Sequence, residues 1–356
     1  MNSDLIDLRL RNQRLTRSAF RDPADVVAWL GAVQSQDYPA AKWGVGLRTA
    51  GLTSEAFDRA FDEGRILRTH VLRPTWHFVP RADIRWMLAL TAPRVHASIG
   101  SYFRRLELDG RVIARSQSAF VRALGGGRAL TRAELSEVLG RAGIIAKSQR
   151  LAAIVFHAEL DQVVCSGPLR GKQFTYMLLD ERAPAAAVLD RDAALAELTL
   201  RYFRSHGPAT VKDFVWWSGL TTKDVKKGLD AIRKSVVPEK VGDLTYWMVP
   251  VRAAAPAAKG TVYLLPNYDE YLIAYRDRGN IEGLPITKDA PRGFDIYAHF
   301  LLVDGKFAGT WRRKEKGSVV GIATTPFRPF TRVHFKALSG QAERMGAFLN
   351  AEAQVV

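Results

Sequence analysis

The chain has 356 residues, a hydrophobic content of 47% and a formal net charge of +16. The hydrophobic content excludes global disorder, and no apolar run reaches the ~18 residues of a membrane-spanning helix. The polar start lacks a signal-peptide core, and the single cysteine, Cys165, excludes an intramolecular disulfide and a cysteine-rich zinc site. We therefore expect a cytoplasmic protein of two to four domains of about 100 residues each.

The basic charge is the first indication of a partner. Lys and Arg total 52 against 36 Asp and Glu, and such an excess creates a positive potential that attracts polyanions. A codon bias toward arginine would give the same excess without any function, and an anionic membrane surface is a third interpretation. Nucleic acid is favoured, because the excess coincides with helix-turn-helix patterns and no long one-sided basic helix is present.

Three similar helix-rich units precede a strand-rich region, and Ala/Pro-rich stretches at 183–188 and 253–258 are plausible linkers between the later parts. We expect an α+β fold, mainly α, with three tandem winged-helix units, a small C-terminal β-barrel or curled sheet, and a closing helix. The expected domains are 1–116, 117–189, 190–252 and 253–356.

The first unit contains a clear helix start at Asp22-Pro23, because Asp caps a helix and Pro fits its first position. Apolar residues at helical spacing follow it, namely Val26, Val27, Leu30 and Val33. We expect this helix to run into the segment 34–37 and to end before Pro39, since proline disfavours helix in its predecessor. The elements expected next, in winged-helix order, are a helix over 54–63 and strands over 66–72 and 75–79.

Capping boxes mark helix starts in the next two units. In the second unit Thr131 pairs with Glu134, and in the third Thr210 and Thr221 begin two helices. Further elements expected in the second unit are a helix over 147–160 and strands over 163–165 and 174–178, around a basic wing at 167–172. Those expected in the third unit are a helix over 190–205 and a strand over 244–249.

The C-terminal region has the pattern of strands followed by a helix. Asp304-Gly305 is a hairpin-turn dipeptide, and the basic run 312–316 downstream predicts an exposed, charged element. The strands are expected over 261–265, 297–303, 307–311, 318–322 and 332–335, and the closing helix over 337–352.

Four segments carry a specific family resemblance. They are VQSQDYPAAKWG at 33–44, VLRPTWHFVP at 71–80, LLPNYDEYL at 264–272 and GTWRR at 309–313. Together they resemble the AlkZ/YcaQ-type DNA glycosylases over nearly the whole chain. The resemblance implies three winged helices and a β-barrel that form a concave surface for duplex DNA. It also implies excision of alkylated purines, including bulky N7 adducts and, in some members, interstrand crosslinks.

The family's catalytic motif is Gln, a hydrophobic residue, then Gln in one branch or Asp in the other. Gln34 and Gln36 match the first branch, while Ser35 departs from the hydrophobic centre. An N7-alkylated purine is already cationic and leaves as a neutral base, so the enzyme must mainly hold a water at C1′ and tolerate an oxocarbenium-like transition state. Amide groups orient a water and a donor, and residues i and i+2 of an extended segment face one side. We expect this pair to position the water, with Asp37 as base or electrostatic stabiliser. The alternative is that two glutamines at a helix end only cap carbonyls or face solvent.

The expected DNA contacts lie in every unit. Arg68 and Arg73 are expected to bind phosphates and His77 to reach DNA, although a hydrogen-bonded histidine near the core is the commoner outcome. Core packing is expected for Trp216 and Trp217 at a helix end. The basic hairpin either presses on the minor groove, as the resemblance implies, or is a solvated charge run. The other expected contacts are Arg170, Lys172, Lys226, Lys227, Arg312, Arg313 and Lys314.

The sequence therefore predicts a monomeric, monofunctional DNA glycosylase in the cytoplasm, associated with the nucleoid, that excises N7-alkylated purines from duplex DNA by water attack at C1′. No lysine of the motif region suits Schiff-base strand cleavage. No metal or other cofactor is expected, since no histidine shows ligand spacing with an acidic or cysteine partner. A non-enzymatic DNA binder, either a regulator or a lesion binder, is the alternative, although no dimerisation helix or effector domain is evident. A protein-interaction scaffold explains neither the charge nor the glutamine pair.

Overall fold

A computed structural model gives the fold of the chain, and it mixes helices with smaller sheets in an α+β arrangement richer in helix than in strand. The residues that the structure describes are 3–16, 20–251, 259–278, 282–284, 295, 297–316 and 319–356. The predicted linker at 253–258 lies outside the described residues. In the described part, no helix combines the length and apolarity needed to cross a membrane.

The N-terminal elements form helices around a small antiparallel sheet of strand order β1-β3-β2. Their bounds are α1 (Ser3–Asn12), α2 (Pro23–Leu30), β1 (Val33–Gln34), α3 (Tyr38–Gly46), α4 (Ser54–Asp62), β2 (Ile66–His70) and β3 (Trp76–Pro80). The Asp22 side chain caps α2 by accepting from the Ala24 N–H, as predicted.

The middle of the chain repeats helices followed by a three-stranded sheet, here of order β4-β6-β5. Its elements are α5 (Ile84–Arg105), α6 (Gly110–Leu124), β4 (Leu130–Thr131), α7 (Arg132–Arg141), α8 (Ser148–Leu160), β5 (Val164–Ser166), β6 (Thr175–Leu178) and α9 (Leu179–Arg182). The predicted capping box is present in full, because Thr131 accepts from the Glu134 N–H and Glu134 accepts in return.

The third group of helices ends in a two-stranded antiparallel hairpin. Its elements are α10 (Arg191–Ser205), α11 (Val211–Ser218), α12 (Thr222–Ala231), a 3-10 turn (Arg233–Ser235), β7 (Val237–Val241) and β8 (Leu244–Met248). Both predicted capping boxes are present, at Thr210 and at Thr221. Strand β7 has no counterpart in the sequence prediction.

The C-terminal elements form one five-stranded sheet of order β13-β12-β11-β10-β9. They are β9 (Val262–Leu265), α13 (Glu270–Ile273), β10 (Phe300–Val303), β11 (Lys306–Lys316), β12 (Val319–Pro326), α14 (Arg332–Leu349) and β13 (Glu352–Val355). The last strand pairs in parallel with β12, and the other neighbours are antiparallel. A closed barrel is not confirmed, because in the described residues β9 and β13 stay at opposite edges.

Three sequence predictions about these elements are wrong. The first helix ends at Leu30, because Gly31 takes a φ of +84° that a helix does not allow. Pro39 begins a helix instead of ending one, since it lies in the first turn of α3, where an N–H has no partner within the helix. The segment 332–335 is the start of α14, capped by Thr331, and not a strand.

Among the residues that the structure describes, two hydrophobic cores hold the chain together. The smaller core gathers residues between Phe103 and Tyr176, while the larger one joins the N-terminal helices, α10 to α12 and the C-terminal sheet. Helix α5 belongs to both, since Val95 lies in the larger core and Phe103 in the smaller. This long helix therefore links the first helical group to the second.

A buried ion pair fixes the C-terminal segment against the N-terminal helices. Both Arg48 and Asp269 are about 1% exposed in their side chains, and they form two hydrogen bonds of 2.8 Å each. Breaking such a buried pair by removing one partner costs about 3–5 kcal/mol. Asp269 also caps α13, so the pair sets the position of the next residue, Glu270.

Candidate active site

The glutamine motif lies on a short extended segment whose backbone is held from both sides. Gln34 pairs with His77 in the antiparallel β1–β3 ladder, and the Ser35 N–H donates to the Trp76 carbonyl over 2.8 Å. The Arg68 guanidinium donates to the Ser35 carbonyl oxygen from two nitrogens, at 3.2 and 3.0 Å. The motif backbone is thus fixed independently of its side chains.

The prediction that Arg68 binds phosphate is wrong for the structure as it stands. Its side chain is buried, stacks over the rings of Trp76 and Phe174, and is used to hold the motif carbonyl. Burial lowers the pKa of the guanidinium, with nearby acidic groups opposing the shift. Arg68 is a positioning residue for the motif.

Gln34 is buried with its amide held in one orientation. Its Oε1 accepts from Nη2 of Arg73 over 2.9 Å, and its backbone N–H donates over 2.9 Å to Oε1 of Glu270. Because a guanidinium only donates, the carbonyl end of the amide must face Arg73. The predicted phosphate contact Arg73 instead binds the motif in this structure.

Gln36, two residues further on, is exposed, and its Oε1 accepts from the Trp76 N–H over 3.3 Å. Between the two glutamines, Ser35 is fully buried, and its hydroxyl has no hydrogen-bond partner in the described structure. Gln34 and Ser35 are buried while Gln36 is exposed, so the two glutamines, which were expected to face one side, lie in different environments. A hydroxyl therefore fills a buried position at which the resembling family has an apolar side chain.

Asp37 has a structural role that the sequence did not predict. Its Oδ1 caps α3 by accepting from the Ala40 N–H over 3.1 Å, and its Oδ2 accepts from the Asn267 side chain over 3.2 Å. Both oxygens are thus engaged. The same residue lines a groove at the protein surface.

Glu270 is the residue that sequence reasoning missed. This carboxylate is 1% exposed, accepts from the Gln34 N–H and from Nε1 of Trp217 over 2.9 Å each, and lies 3.3 Å from Nε2 of His206. Burial raises its pKa, but contacts with His206 and the Gln34 N–H outweigh burial and leave the pKa below its ordinary value. The sequence signal that could have identified it is the acidic pair Asp269-Glu270 within the mainly apolar segment 262–275.

His77 is not a surface contact, so the expectation that it reaches DNA is wrong for this structure. The ring is fully buried, one nitrogen lies 2.9 Å from the Thr75 carbonyl, and Nε2 has no partner among the described residues. Burial, helped by the positive charge of Arg73, lowers its pKa to about 3. The ring is therefore neutral at physiological pH.

An aromatic and cationic surface borders Gln34. Trp216 is 39% exposed and Tyr297 is 44% exposed, against the expectation of core packing for Trp216, whereas Trp217 is buried as expected. Arg278 lies over both exposed rings, at 5.4 and 5.9 Å, and Arg73 lies 5.7 Å from Trp216. Tyr268 stacks on Tyr297 with ring centres 5.2 Å apart. We call the set Trp216, Tyr268, Tyr297, Arg73 and Arg278 the aromatic–arginine surface.

A groove of about 1220 Å³ brings together predicted site residues from distant parts of the chain. Asp37 comes from the motif, Lys172 from the predicted wing, and Arg313 from the β11–β12 hairpin. His299 and Trp311 also line it. Its cationic groups thus come from α3 through Lys42, from the predicted wing and from the C-terminal sheet.

The remaining predicted DNA contacts are exposed but are not in this groove lining. Arg170 pairs with Glu134 over 2.7 Å, and Lys227 pairs with Asp192 over 2.5 Å. Lys226 lines a separate depression with Lys227. Arg312 and Lys314 flank Arg313 on β11.

Comparisons with known proteins agree with this architecture. The family model described as "DNA glycosylase AlkZ-like" matches residues 27–348. A Streptomyces sahachiroi protein named "Interstrand DNA cross-link repair glycosylase" is 24% identical over 350 residues, covering 94% of this chain and 92% of the relative. The solved structure of the Streptomyces sahachiroi DNA glycosylase AlkZ matches with a TM-score of 0.78 at 20% identity, covering 99% of each chain. The chain belongs to the AlkZ-like DNA glycosylase family.

Proposed function

We propose that this protein is a monofunctional DNA glycosylase that excises N7-alkylated purines, including bulky or crosslinked ones, from duplex DNA. Membership of the AlkZ-like family and similarity to a relative named for interstrand crosslink repair support this activity. The observation that carries the proposal is the pair Gln34 and Gln36, one buried and oriented by Arg73 and the other exposed, on a segment with a fixed backbone.

The proposed chemistry needs little acid catalysis. An N7-alkylated purine departs as a neutral base, so the barrier falls mainly when a water is held at C1′ and the developing sugar cation is stabilised. Gln34 keeps its NH₂ group and the second lone pair of Oε1 for substrate or water, because Arg73 uses one lone pair. Gln36 offers its exposed amide from the same segment.

Glu270 contributes as a positioning residue. Its ionised carboxylate anchors the Gln34 N–H, and its buried negative charge favours a cationic sugar above the motif. Asp37 remains in the proposal only as an electrostatic contributor, since both of its oxygens already accept hydrogen bonds.

We propose that DNA follows the groove from the motif toward the β11–β12 hairpin. Lys172 and Arg313 would contact phosphates, and the aromatic–arginine surface would stack on the displaced or distorted lesion. The four sequence-based domains, 1–116, 117–189, 190–252 and 253–356, would then supply three winged helices and a curled C-terminal sheet that hold a single DNA duplex.

The test is an excision assay on duplexes that carry N7-methylguanine, a bulky N7 adduct or an N7 crosslink, with undamaged duplex as the substrate control. We expect Gln34→Ala/Gln36→Ala to lower the excision rate by about 100-fold or more while DNA binding persists. Gln354→Ala, which removes an exposed amide on β13, is the matched control and should keep the parent rate. Equal rates for all three proteins would remove the glutamine pair from the mechanism.

Binding of duplex DNA without excision of any lesion in the panel would favour the alternative, a non-enzymatic lesion binder or regulator. A monomeric state, expected for the glycosylase, is checked by light scattering. A palindrome-binding regulator would instead form a dimer.

A further inference from the structure

A cluster of two histidines and one aspartate joins α5 to α8, and none of its members belongs to the glutamine motif. His96 lies on α5, His157 lies near the end of α8, and Asp161 is the C-cap of α8. Nε2 of His96 lies 2.8 Å from Oδ1 of Asp161, and Nδ1 of His157 lies 3.0 Å from Oδ2. The three potential ligand atoms all lie within 4.8 Å of one another.

The expectation that no histidine has ligand spacing with an acidic partner is therefore wrong. His157 and Asp161 are four residues apart, and this spacing puts two side chains on one helix face. His96 is 61 residues earlier in the sequence than His157, so only the packing of α5 on α8 reveals the third member.

One buried ring nitrogen of His157 makes no well-aligned hydrogen bond in the described structure. Its Nδ1 is buried and has no hydrogen-bond partner in the described structure, although it lies 3.0 Å from the carboxylate. The contact has the distance but not the angle of a hydrogen bond. A ring nitrogen in this position can instead direct its lone pair into the space shared with His96 and Asp161.

We propose that His96, His157 and Asp161 bind a divalent transition-metal ion, with Zn²⁺ as the best match. Zinc takes imidazole nitrogen and carboxylate oxygen in tetrahedral sites, where neighbouring ligand atoms are about 3.3 Å apart. The two histidine–aspartate separations, 2.8 and 3.0 Å, lie near that value, and all three ligand atoms lie within 4.8 Å of one another. The three side chains are 28%, 19% and 32% exposed, so a water molecule can complete the site.

Gln117 on α6 supports the carboxylate from outside the ligand set. Its Nε2 donates to Oδ2 of Asp161 over 2.5 Å. Hydrogen bonds of this kind orient metal-binding carboxylates and contribute to affinity.

The position of the site suggests a structural role. His96 follows Val95, a member of the larger hydrophobic core, while the ring of His157 lies 5.2 Å from Phe103 of the smaller core. A metal ion here ties α5 to α8 at the junction of the two cores. It therefore restricts movement of α8 and the smaller core relative to α5, which also contributes to the larger core.

The test measures metal binding by the full chain and needs no activity assay. Chelator-treated protein is titrated with Zn²⁺ against a chromogenic competitor, and Co²⁺ is added separately to record its visible d–d bands. The variants are His157→Ala and the near-isosteric Asp161→Asn. The matched control is His334→Ala, which removes a histidine outside the cluster. Circular dichroism checks that each protein is folded.

We expect the parent and His334→Ala to bind one Zn²⁺ per chain, to show the Co²⁺ bands of a low-symmetry site and to unfold at a higher temperature with Zn²⁺ present. Folded Asp161→Asn and His157→Ala should lose all three responses. Absence of Zn²⁺ binding and Co²⁺ bands in the parent, or equal binding by parent and Asp161→Asn, would overturn the proposal and leave a hydrogen-bonded cluster. If Asp161→Asn and His157→Ala fail to fold, the Zn²⁺ titration and the Co²⁺ spectrum of the parent decide whether the proposal stands.

Discussion

Replacing Glu270 by Gln tests whether a buried negative charge holds the motif in place. The carboxylate accepts from the Gln34 N–H and Trp217 Nε1, one on each oxygen. Glutamine has the same shape but only one acceptor oxygen, so its NH₂ group must face one of these two donors. One buried donor then lacks an acceptor, and the charge beside His206 is lost.

The expected destabilisation follows from these contacts. A buried donor without a partner costs about 1–3 kcal/mol, and a hydrogen bond to a charged group contributes about 1.5–3 kcal/mol. We therefore expect Glu270→Gln to lower the free energy of unfolding by about 3 kcal/mol near neutral pH.

The same variant should also change how the free energy of unfolding depends on pH. The pKa of Glu270 is lower in the folded state than in the unfolded state. Its ionised form therefore adds its full contribution to stability at pH values above the unfolded-state pKa. This contribution is lost as the pH falls through the folded-state pKa. Glu270→Gln should remove that part of the acid-induced loss of stability. Its stability difference from the parent should therefore shrink below about pH 4.

The measurement is urea unfolding at several pH values, followed by circular dichroism, together with an excision assay under native conditions. Glu137→Gln, at an exposed position on α7, is the matched control and should match the parent at every pH. A loss below about 1 kcal/mol at pH 7, or a loss independent of pH, would contradict the described role of Glu270.

Three further predictions address the motif and the DNA surface. Ser35→Ala removes a buried hydroxyl that has no hydrogen-bond partner in the described structure. Calorimetry should therefore show equal stability or a gain of up to about 1 kcal/mol, with an unchanged excision rate. A clear loss of stability would mean that the hydroxyl is hydrogen-bonded. Trp216→Ala should weaken binding of damaged duplex by about 1–3 kcal/mol, measured by fluorescence anisotropy, and equal affinity would exclude stacking on this ring. Lys172→Glu/Arg313→Glu should lower by about two the slope of the logarithm of the DNA association constant against the logarithm of the salt concentration. The control Lys336→Glu, on α14, should leave this slope unchanged. An unaltered slope in the double variant would remove the groove from the DNA path.

Local signals in the sequence predicted local structure well. The capping boxes at Thr131, Thr210 and Thr221 begin helices where expected, because each box is completed within four residues and depends on no distant contact. The helix start predicted at Asp22 is confirmed for the same reason. The extended motif segment was harder to predict, since a glycine with positive φ after Leu30 outweighs a helical apolar pattern that continues to Val33.

The site itself was only partly predictable. The resemblance identified Gln34 and Gln36, but the residues that hold them come from elsewhere in the chain. Gln34 and Glu270 are 236 positions apart, and no periodicity relates them. Arg68 and His77 were assigned to DNA by residue type alone, which carries no information about burial.

The dependence of the motif on distant residues has a consequence for the whole fold. The Gln34 N–H requires Glu270, Glu270 is placed by the cap that Asp269 provides to α13, and Asp269 requires Arg48 on the N-terminal side. The C-terminal segment is therefore part of the framework of the proposed active site. Since every link in this chain of contacts is buried, weakening Arg48 should disturb Gln34. The proposed catalytic segment, which begins in the two-residue strand β1, is thus held in place by the packing of the N-terminal helices against the C-terminal sheet.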